Sequence, residues 1–275
     1  MTDITDIARR LRAVSDTPLL DARRLLSYAG QDLMLLEACI TRRLRHEPIS
    51  KITGRKGFWK ADFITSADVL DPRPDSETII AAVLKYRPDT RQPLRMLDIG
   101  TGSGCLLASL LSEYPNATGV AVDKSSKALS VARQNLQGFP AVVHQADFFT
   151  TDWTSGLGQF DVIVSNPPYI PTAEIATLSP DVRDYDPLLA LDGGEDGMAA
   201  YARLAQTMMP ILDPTGLVFL EIGQGQSAMI QGLFQSAGWI FSGCEKDFGG
   251  VDRVLIFKKN IKSKKISCIL EKNRV

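Results

Sequence analysis

Two short stretches carry residue types at spacings that could do chemistry. Asn166-Pro167-Pro168-Tyr169 follows the apolar run Val162-Ile163-Val164. A planar amide or amine nitrogen is a poor nucleophile because its lone pair is spread into its π system. The Asn166 side-chain carbonyl and the Pro167 backbone carbonyl can accept its two N–H bonds and hold the nitrogen in line with an electrophile. Two prolines stiffen that backbone and remove N–H donors, which leaves acceptors in the majority. Tyr169 can stack on the planar group. The second stretch, Asp98-Ile99-Gly100-Thr101-Gly102-Ser103-Gly104, lies where an apolar run gives way to a helical one. Glycines there let the backbone turn tightly and approach a ligand, and a helix amino terminus contributes free N–H groups. Asp123 follows about twenty residues later, where a carboxylate can accept both hydroxyls of a ribose. Asp147-Phe148 offers a carboxylate and an aromatic face suited to an adenine. Taken singly, a glycine turn of this kind fits any doubly wound protein, and Asn-Pro-Pro fits an ordinary capped loop.

The glycine spacing separates ligand classes. A dinucleotide fingerprint, GxGxxG, needs glycine at 100, 102 and 105, but position 105 is Cys. Gly104 instead completes DxGxGxG, the pattern of class I S-adenosylmethionine methyltransferases. Neither GxxxxGK[ST] nor a kinase-like lysine set occurs, and nucleoside recognition without a phosphate-gripping loop favours a methyl donor. No general base is evident. A methylated amide nitrogen is strongly acidic and gives its proton to water or a nearby acceptor, so catalysis rests on proximity and alignment.

The elements that must position these residues are legible from periodicity. Residues 3–47 are rich in Leu, Ala and Arg at helical spacing, with breaks at Ser15–Pro18 and Gly30–Asp32, and predict three to four short helices. Near Pro48 the pattern changes to Gly54, Gly57, Phe58-Trp59 and Phe63-Ile64-Thr65, a hairpin signature. Pro74 then opens a helix over 76–86. From residue 94 strands alternate with helices. Strands are expected at 94–99, 118–122, 141–144, 160–165 and 216–222, helices at 105–112, 125–136, 198–212 and 226–237, and a final antiparallel pair at 239–244 and 251–257. This predicts an α/β fold, a doubly wound Rossmann-like sheet, mostly parallel with an antiparallel final strand, plus a small N-terminal helical domain. The expected divisions are 1–50 helical substrate-recognition domain, 51–72 β-hairpin linker, 73–257 methyltransferase domain and 258–275 disordered basic tail. Arg73, between two prolines, is expected to pair with an acid such as Glu77, and the arginine pairs at 9–10, 23–24 and 42–43 to lie on solvated helix faces.

Length and charge bound the remaining classes. The 275 residues suffice for one large or two modest domains. The net charge of −1 is uneven: residues 1–95 hold 17 basic and 13 acidic groups (+4), 96–257 hold 7 and 18 (−11), and 258–275 hold 7 and 1 (+6). A nucleic-acid groove in the acidic segment is disfavoured, since such binding depends on neutralising phosphates. No apolar run approaches the roughly 20 residues of a membrane span, and the amino terminus lacks a secretory pattern, so a cytoplasmic protein is expected. Cys39, Cys105, Cys244 and Cys268 lie far apart with no CxxC, and the only histidines, His46 and His144, are assigned no role. No metal site is therefore expected.

In combination these motifs resemble the bacterial release factor glutamine methyltransferases, the HemK or PrmC group. The resemblance covers about residues 5–257 and runs in order through Glu47-Pro48-Ile49 with Gly54 and Gly57-Phe58-Trp59, Val69 to Glu77, Leu97 to Gly104, and Val164 to Ile170. It continues through Ala190-Leu191-Asp192-Gly193-Gly194-Glu195-Asp196-Gly197 and Leu220-Glu221-Ile222-Gly223, then Asp247 and Asp252-Arg253. The family commonly has PRPETE where this chain has Pro72-Arg73-Pro74-Asp75-Ser76-Glu77. The resemblance implies methylation of the side-chain amide (N5) of the glutamine in the Gly-Gly-Gln motif of class I release factors. It implies S-adenosylmethionine contacts from Gly100, Thr101, Gly102, Ser103, Gly104, Asp123, Asp147, Phe148 and Asn166, and glutamine contacts from Asn166, Pro167, Pro168 and Tyr169. Asn166, Pro167 and Tyr169 are the expected catalytic residues, and residues 190–197 a loop near the substrate entrance. Asn-Pro-Pro-Tyr is shared with enzymes that methylate adenine N6 or guanine N2 in DNA or RNA, and a ribosomal-protein glutamine is a further possible acceptor. The proline-arginine-proline segment and LDGGEDG are more specific to the family.

Overall fold

The computed structural model describes residues 3–260. Four helices come first: α1 (Ile4–Leu11), α2 (Pro18–Ala29), α3 (Leu33–Leu44) and α4 (Ile49–Thr53). Asp3 and Asp32 cap α1 and α3 by accepting from Thr5 N and Leu35 N, each at 2.9 Å. Gly54, at φ 72°, turns the chain out of α4. Ile7, Leu11, Leu25, Leu36 and Ile40 meet Ile49 and Ile52 in a separate apolar core, each such side chain contributing about 1.5–3 kcal/mol by burial. Arg9, Arg10, Arg23, Arg24 and Arg42 are exposed as expected, with Arg10 paired with Glu37 and Arg42 with Glu47, whereas Arg43 reaches inward to the buried Asp21 at 3.0 Å.

Strands β1 (Arg55–Phe58) and β2 (Ala61–Ile64) form the hairpin. Its turn residue Trp59 has φ 53° and is fixed by two carboxylates, with its N donating to Glu77 and its Nε1 to Glu113, both at 2.7 Å. Glu77 is therefore not the partner of Arg73. Arg73 instead pairs with Asp186, 113 residues away, in a buried cluster where Lys51 Nζ lies 3.0 Å from Asp71 and 3.2 Å from Asp186. Burial opposes the charge on Asp71, yet Lys51, Ser50 and Thr65 outweigh it and hold its pKa below the usual carboxylate value. This cluster ties α4 to the segment that leads into α5 (Glu77–Tyr86). The expected start of α5 at Ser76 gives way to a tighter turn over Pro74–Ser76.

Among the described residues the main sheet has seven strands, in the order β5-β4-β3-β6-β7-β9-β8. They are β3 (Arg95–Ile99), β4 (Thr118–Asp123), β5 (Ala141–Gln145), β6 (Phe160–Ser165), β7 (Leu212–Glu221), β8 (Trp239–Lys246) and β9 (Asp252–Lys259). Interleaved are α6 (Cys105–Glu113), α7 (Ser126–Asn135), α8 (Pro180–Arg183), α9 (Leu188–Leu191), α10 (Ala199–Thr207) and α11 (Ser227–Ser236). Helices α5, α6 and α7 cover one face, and α10 and α11 the other, each with its own apolar core. The fold is thus doubly wound, and the last strand among the described residues, β9, runs antiparallel between β7 and the edge strand β8. β7 begins four residues before the expected Gly216, because Leu212 pairs with Phe160 and a register shift absorbs the intervening residues before Leu217 meets Val162. Pro210 ends α10 earlier than expected, in a short turn over Met209–Ile211. β9 extends to Lys259, past the expected boundary at 257, and the rest of the expected basic tail, 261–275, lies outside the described residues.

The chain leaves β3 toward β4 and β5, then returns to β6 on β3's other side. The carboxyl ends of β3 and β6 therefore flank the topological switch point, where open α/β sheets bind ligands.

Candidate functional site

Ile99 and Ser165 are paired neighbours at the ends of β3 and β6. The glycine turn and the Asn166 loop consequently leave the sheet side by side. Ser165 Oγ donates to Ile99 O at 2.7 Å and locks the two ends together. Gly100 N and Thr101 N both donate to Val122 O on β4, at 2.8 and 3.0 Å. Gly100 and Gly102 have φ 70° and 54°, and a Cβ on either would project into open space. The turn is thus a bare backbone cradle. Thr101 Oγ1 donates to the fully buried Asp98 at 2.6 Å, while the other Asp98 oxygen has no partner. Burial raises the Asp98 pKa to about 7. Asp123 accepts from Gly102 N and Ser125 N, each at 2.9 Å, and burial raises its pKa against these N–H bonds.

One cavity opens on this switch point. Gly100, Thr101, Gly102, Ser103, Asp123, Asp147, Phe148, Asn166 and Pro168 all line it. Three expected site residues are not on its wall. Gly104 has φ 80° and faces α7, where a Cβ would come within 3.3 Å of Ala132. Pro167 is buried, and Tyr169 packs against the core beneath α10, where burial raises its pKa to about 12. Asp147 lies 3.2 Å from Lys124, and Phe148 packs on Phe149 with ring centroids 4.8 Å apart.

Asn166 has one defined orientation. Its Nδ2 donates to Ser76 Oγ at 3.1 Å. Among the described residues no donor reaches Asn166 Oδ1 or the Pro167 carbonyl oxygen. Asn166 Oδ1 is therefore an unengaged acceptor on the cavity wall, and the Pro167 carbonyl an unengaged acceptor next to it but off that wall; an amide or amine acceptor substrate requires such groups.

The residues after Asn166 are clamped from two sides. Ile170 N donates to Leu191 O at 3.0 Å and Gly193 N to Ile170 O at 2.9 Å, so residues 190–197 lie directly on the Asn166–Ile170 segment. Gln226 Nε2 donates to Tyr169 O, and Gln226 Oε1 accepts from Gly223 N, both at 2.9 Å. Leu189, Ala190 and Asp192 reach the cavity wall, as do Asp71, Pro72, Arg73 and Ser76. Sequence reasoning missed Ser76 and Gln226. Ser76 lies inside the motif that departs from the family pattern, and Gln226 follows Leu220–Gly223, which locates it without revealing its partner.

Among the described residues no group of three or more His, Cys, Asp or Glu is placed to hold a metal ion, and no helix is long and apolar enough to cross a membrane.

A family model described as a methyltransferase small domain matches residues 67–178. A release factor glutamine methyltransferase of Caulobacter vibrioides is 43% identical over 264 residues, covering 89% of this chain and 91% of its own. Another, of Rhodospirillum rubrum, is 42% identical over 83% of this chain and 70% of its own. Among solved structures, a methyltransferase from Pyrococcus furiosus, 21% identical, covers 80% of this chain and 98% of its own with a TM-score of 0.55, a likeness of fold.

Proposed function

The chain belongs to the release factor glutamine methyltransferase family, and we propose that it methylates the side-chain amide nitrogen, N5, of the glutamine in the Gly-Gly-Gln motif of class I release factors. The observation that carries this reading is the pairing of Ile99 with Ser165. It brings a glycine cradle and two unengaged acceptors, Asn166 Oδ1 and the Pro167 carbonyl, to one switch point.

The cradle fits S-adenosylmethionine, the methyl donor that membership of a methyltransferase family implies. When bound, it supplies a methyl group already activated by a sulfonium. Bare glycine backbone at 100 and 102 allows close approach, Asp123 can accept ribose hydroxyls, and Phe148 offers its face to an adenine. Asn166 Oδ1 and Pro167 O accept the two amide N–H bonds of the glutamine and hold its nitrogen in line with the methyl carbon. With the donor bound, the nitrogen so held would take the methyl group in exchange for the sulfonium's C–S bond, and its surplus proton would leave to water. Pro168 and Tyr169 keep the loop rigid.

Asp123→Ala is expected to weaken S-adenosylmethionine binding by about 10- to 100-fold in calorimetry, the loss of one or two hydrogen bonds to a charged group. Unchanged affinity would remove Asp123 from the donor site. The substrate assignment is tested with labelled S-adenosylmethionine and an intact class I release factor. Label is expected on the factor and is expected to vanish when the Gly-Gly-Gln glutamine is replaced. Labelling of DNA, RNA or a ribosomal protein, with none on the release factor, would overturn it.

A further inference from the structure

Glu221 ends β7. Leu220 pairs with Ser165, so Glu221 stands beside Asn166 at the sheet's carboxyl edge. It is 1% exposed, and its Oε2 has no hydrogen-bond partner. An unpartnered buried carboxylate oxygen is costly to retain. Ser76, itself buried, joins them: its Oγ accepts from Asn166 Nδ2, and its hydroxyl and the Asn166 amide each favour the charged Glu221 directly.

The two ends of an Asn amide are nearly isosteric but chemically opposite. The amide clamp works only with Nδ2 turned inward and Oδ1 toward the substrate. An ionised carboxylate is an acceptor only, so an ionised Glu221 beside Ser76 and Asn166 favours the inward Nδ2. A protonated Glu221 brings an O–H donor to the same place and attracts Oδ1, which turns the Asn166 NH2 against the N–H donors of the substrate. We propose that Glu221, together with Ser76, is a positioning residue that sets the orientation of the Asn166 amide and thereby gates methyl transfer. This inference rests on the amide-clamp reading of Asn166.

The surrounding charges leave this carboxylate able to titrate. Arg253 on β9 is the nearby cation, but its Nη2 is 2.9 Å from Asp247, and its Nη1 donates to Ile222 O at 3.1 Å. Asp75 adds negative charge from the turn before α5. Tyr169 and Tyr201 face Glu221 from the Asn166 loop and α10, both with pKa values raised by burial. Tyr201 spends its hydroxyl on the Glu221 backbone carbonyl at 2.8 Å. Burial raises the Glu221 pKa to about 7, with Ser76 and Arg253 opposing it. The carboxylate form is present above that value and lost below it, so turnover is expected to rise with pH through about 7.

Glu221→Gln is expected to lower kcat by roughly 10- to 100-fold, leave S-adenosylmethionine affinity unchanged, and abolish the rise through pH 7. Its thermal midpoint at pH 8 is expected to equal or exceed that of the parent, because a charge is removed from the interior. Ser76→Ala is expected to lower kcat in the same direction with donor affinity kept, and it carries the test if Glu221→Gln fails to fold. Parental kcat with the pH rise retained, in whichever of these variants folds, overturns the proposal. Asn166→Ala separates the two levels. If it is inactive while Glu221→Gln is fully active, the gating fails and the clamp stands. If it turns over normally, both fall.

Discussion

Asn166→Ala is expected to lower kcat for release factor methylation by about 1,000-fold, while S-adenosylmethionine still binds. The truncation removes Oδ1, one of the two acceptors for the glutamine amide, and the Nδ2 that reaches Ser76. A nucleophile as weak as an amide nitrogen depends on its lone pair being held on the line of the methyl carbon. Displacing a reacting group by about 1 Å already costs on the order of 100-fold, and loss of a preorganised hydrogen-bonding group in an active site costs about 100- to 1,000-fold. The larger figure corresponds to about 4 kcal/mol of barrier. Donor binding should survive because the cradle residues, Gly100 to Ser103 and Asp123, are held by β3 and β4 and not by Asn166. Single-turnover kinetics with calorimetry on the same variant makes the check. Turnover within about tenfold of the parent would mean that alignment by Asn166 is not what drives the reaction.

The elements carrying this chemistry were legible because they are buried and regular. β6 runs over 160–165 as periodicity predicts, and β3 and β4 differ from expectation by one residue each. Their apolar runs reflect burial on both faces, which a doubly wound sheet imposes. The elements between 171 and 191 were not legible. They are short turns and the four-residue helices α8 and α9, too brief to show a period.

Partners were less legible than elements, for a physical reason. Local spacing pairs Arg73 with Glu77, four residues on, but the tight turn at Pro74–Ser76 breaks the helical geometry that such spacing assumes. Glu77 is then free to hold the Trp59 N–H, and Arg73 finds Asp186 through tertiary packing. Net charge by segment misleads in a similar way. Asp98, Asp186 and Glu221 are counted in the acidic segment but are buried, so they shape the interior of the site and add little to its surface field. Ser76 and Gln226 escaped notice because neither residue type announces chemistry by itself. Their importance comes from what the fold sets against them.

Gly197→Ala is expected to be the most damaging single methyl group in the glycine-rich loop at 190–197. Gly197 has φ 76°, and a Cβ there would press on the carbonyl oxygen of Tyr169 inside contact distance and come within 2.9 Å of Gln226 Nε2. That carbonyl is the acceptor for Gln226, whose other end is tied to Gly223. Since the clash is with backbone, no rotamer change relieves it. Either the carbonyl or Gln226 must move, and the carbonyl belongs to the Asn166–Ile170 segment that Gln226 holds. The left-handed backbone costs about 1–2 kcal/mol and the overpacking about 1–3 kcal/mol, so a stability loss of about 2–5 kcal/mol is expected in denaturant unfolding. In the fraction that remains folded, kcat should fall by about 100-fold, with donor affinity kept. Gly250→Ala is the control, because Gly250 has φ 80° but open space around its would-be Cβ, so it pays only the backbone term. Equal destabilisation of the two variants, with normal turnover in Gly197→Ala, would show that the loop does not brace the amide clamp.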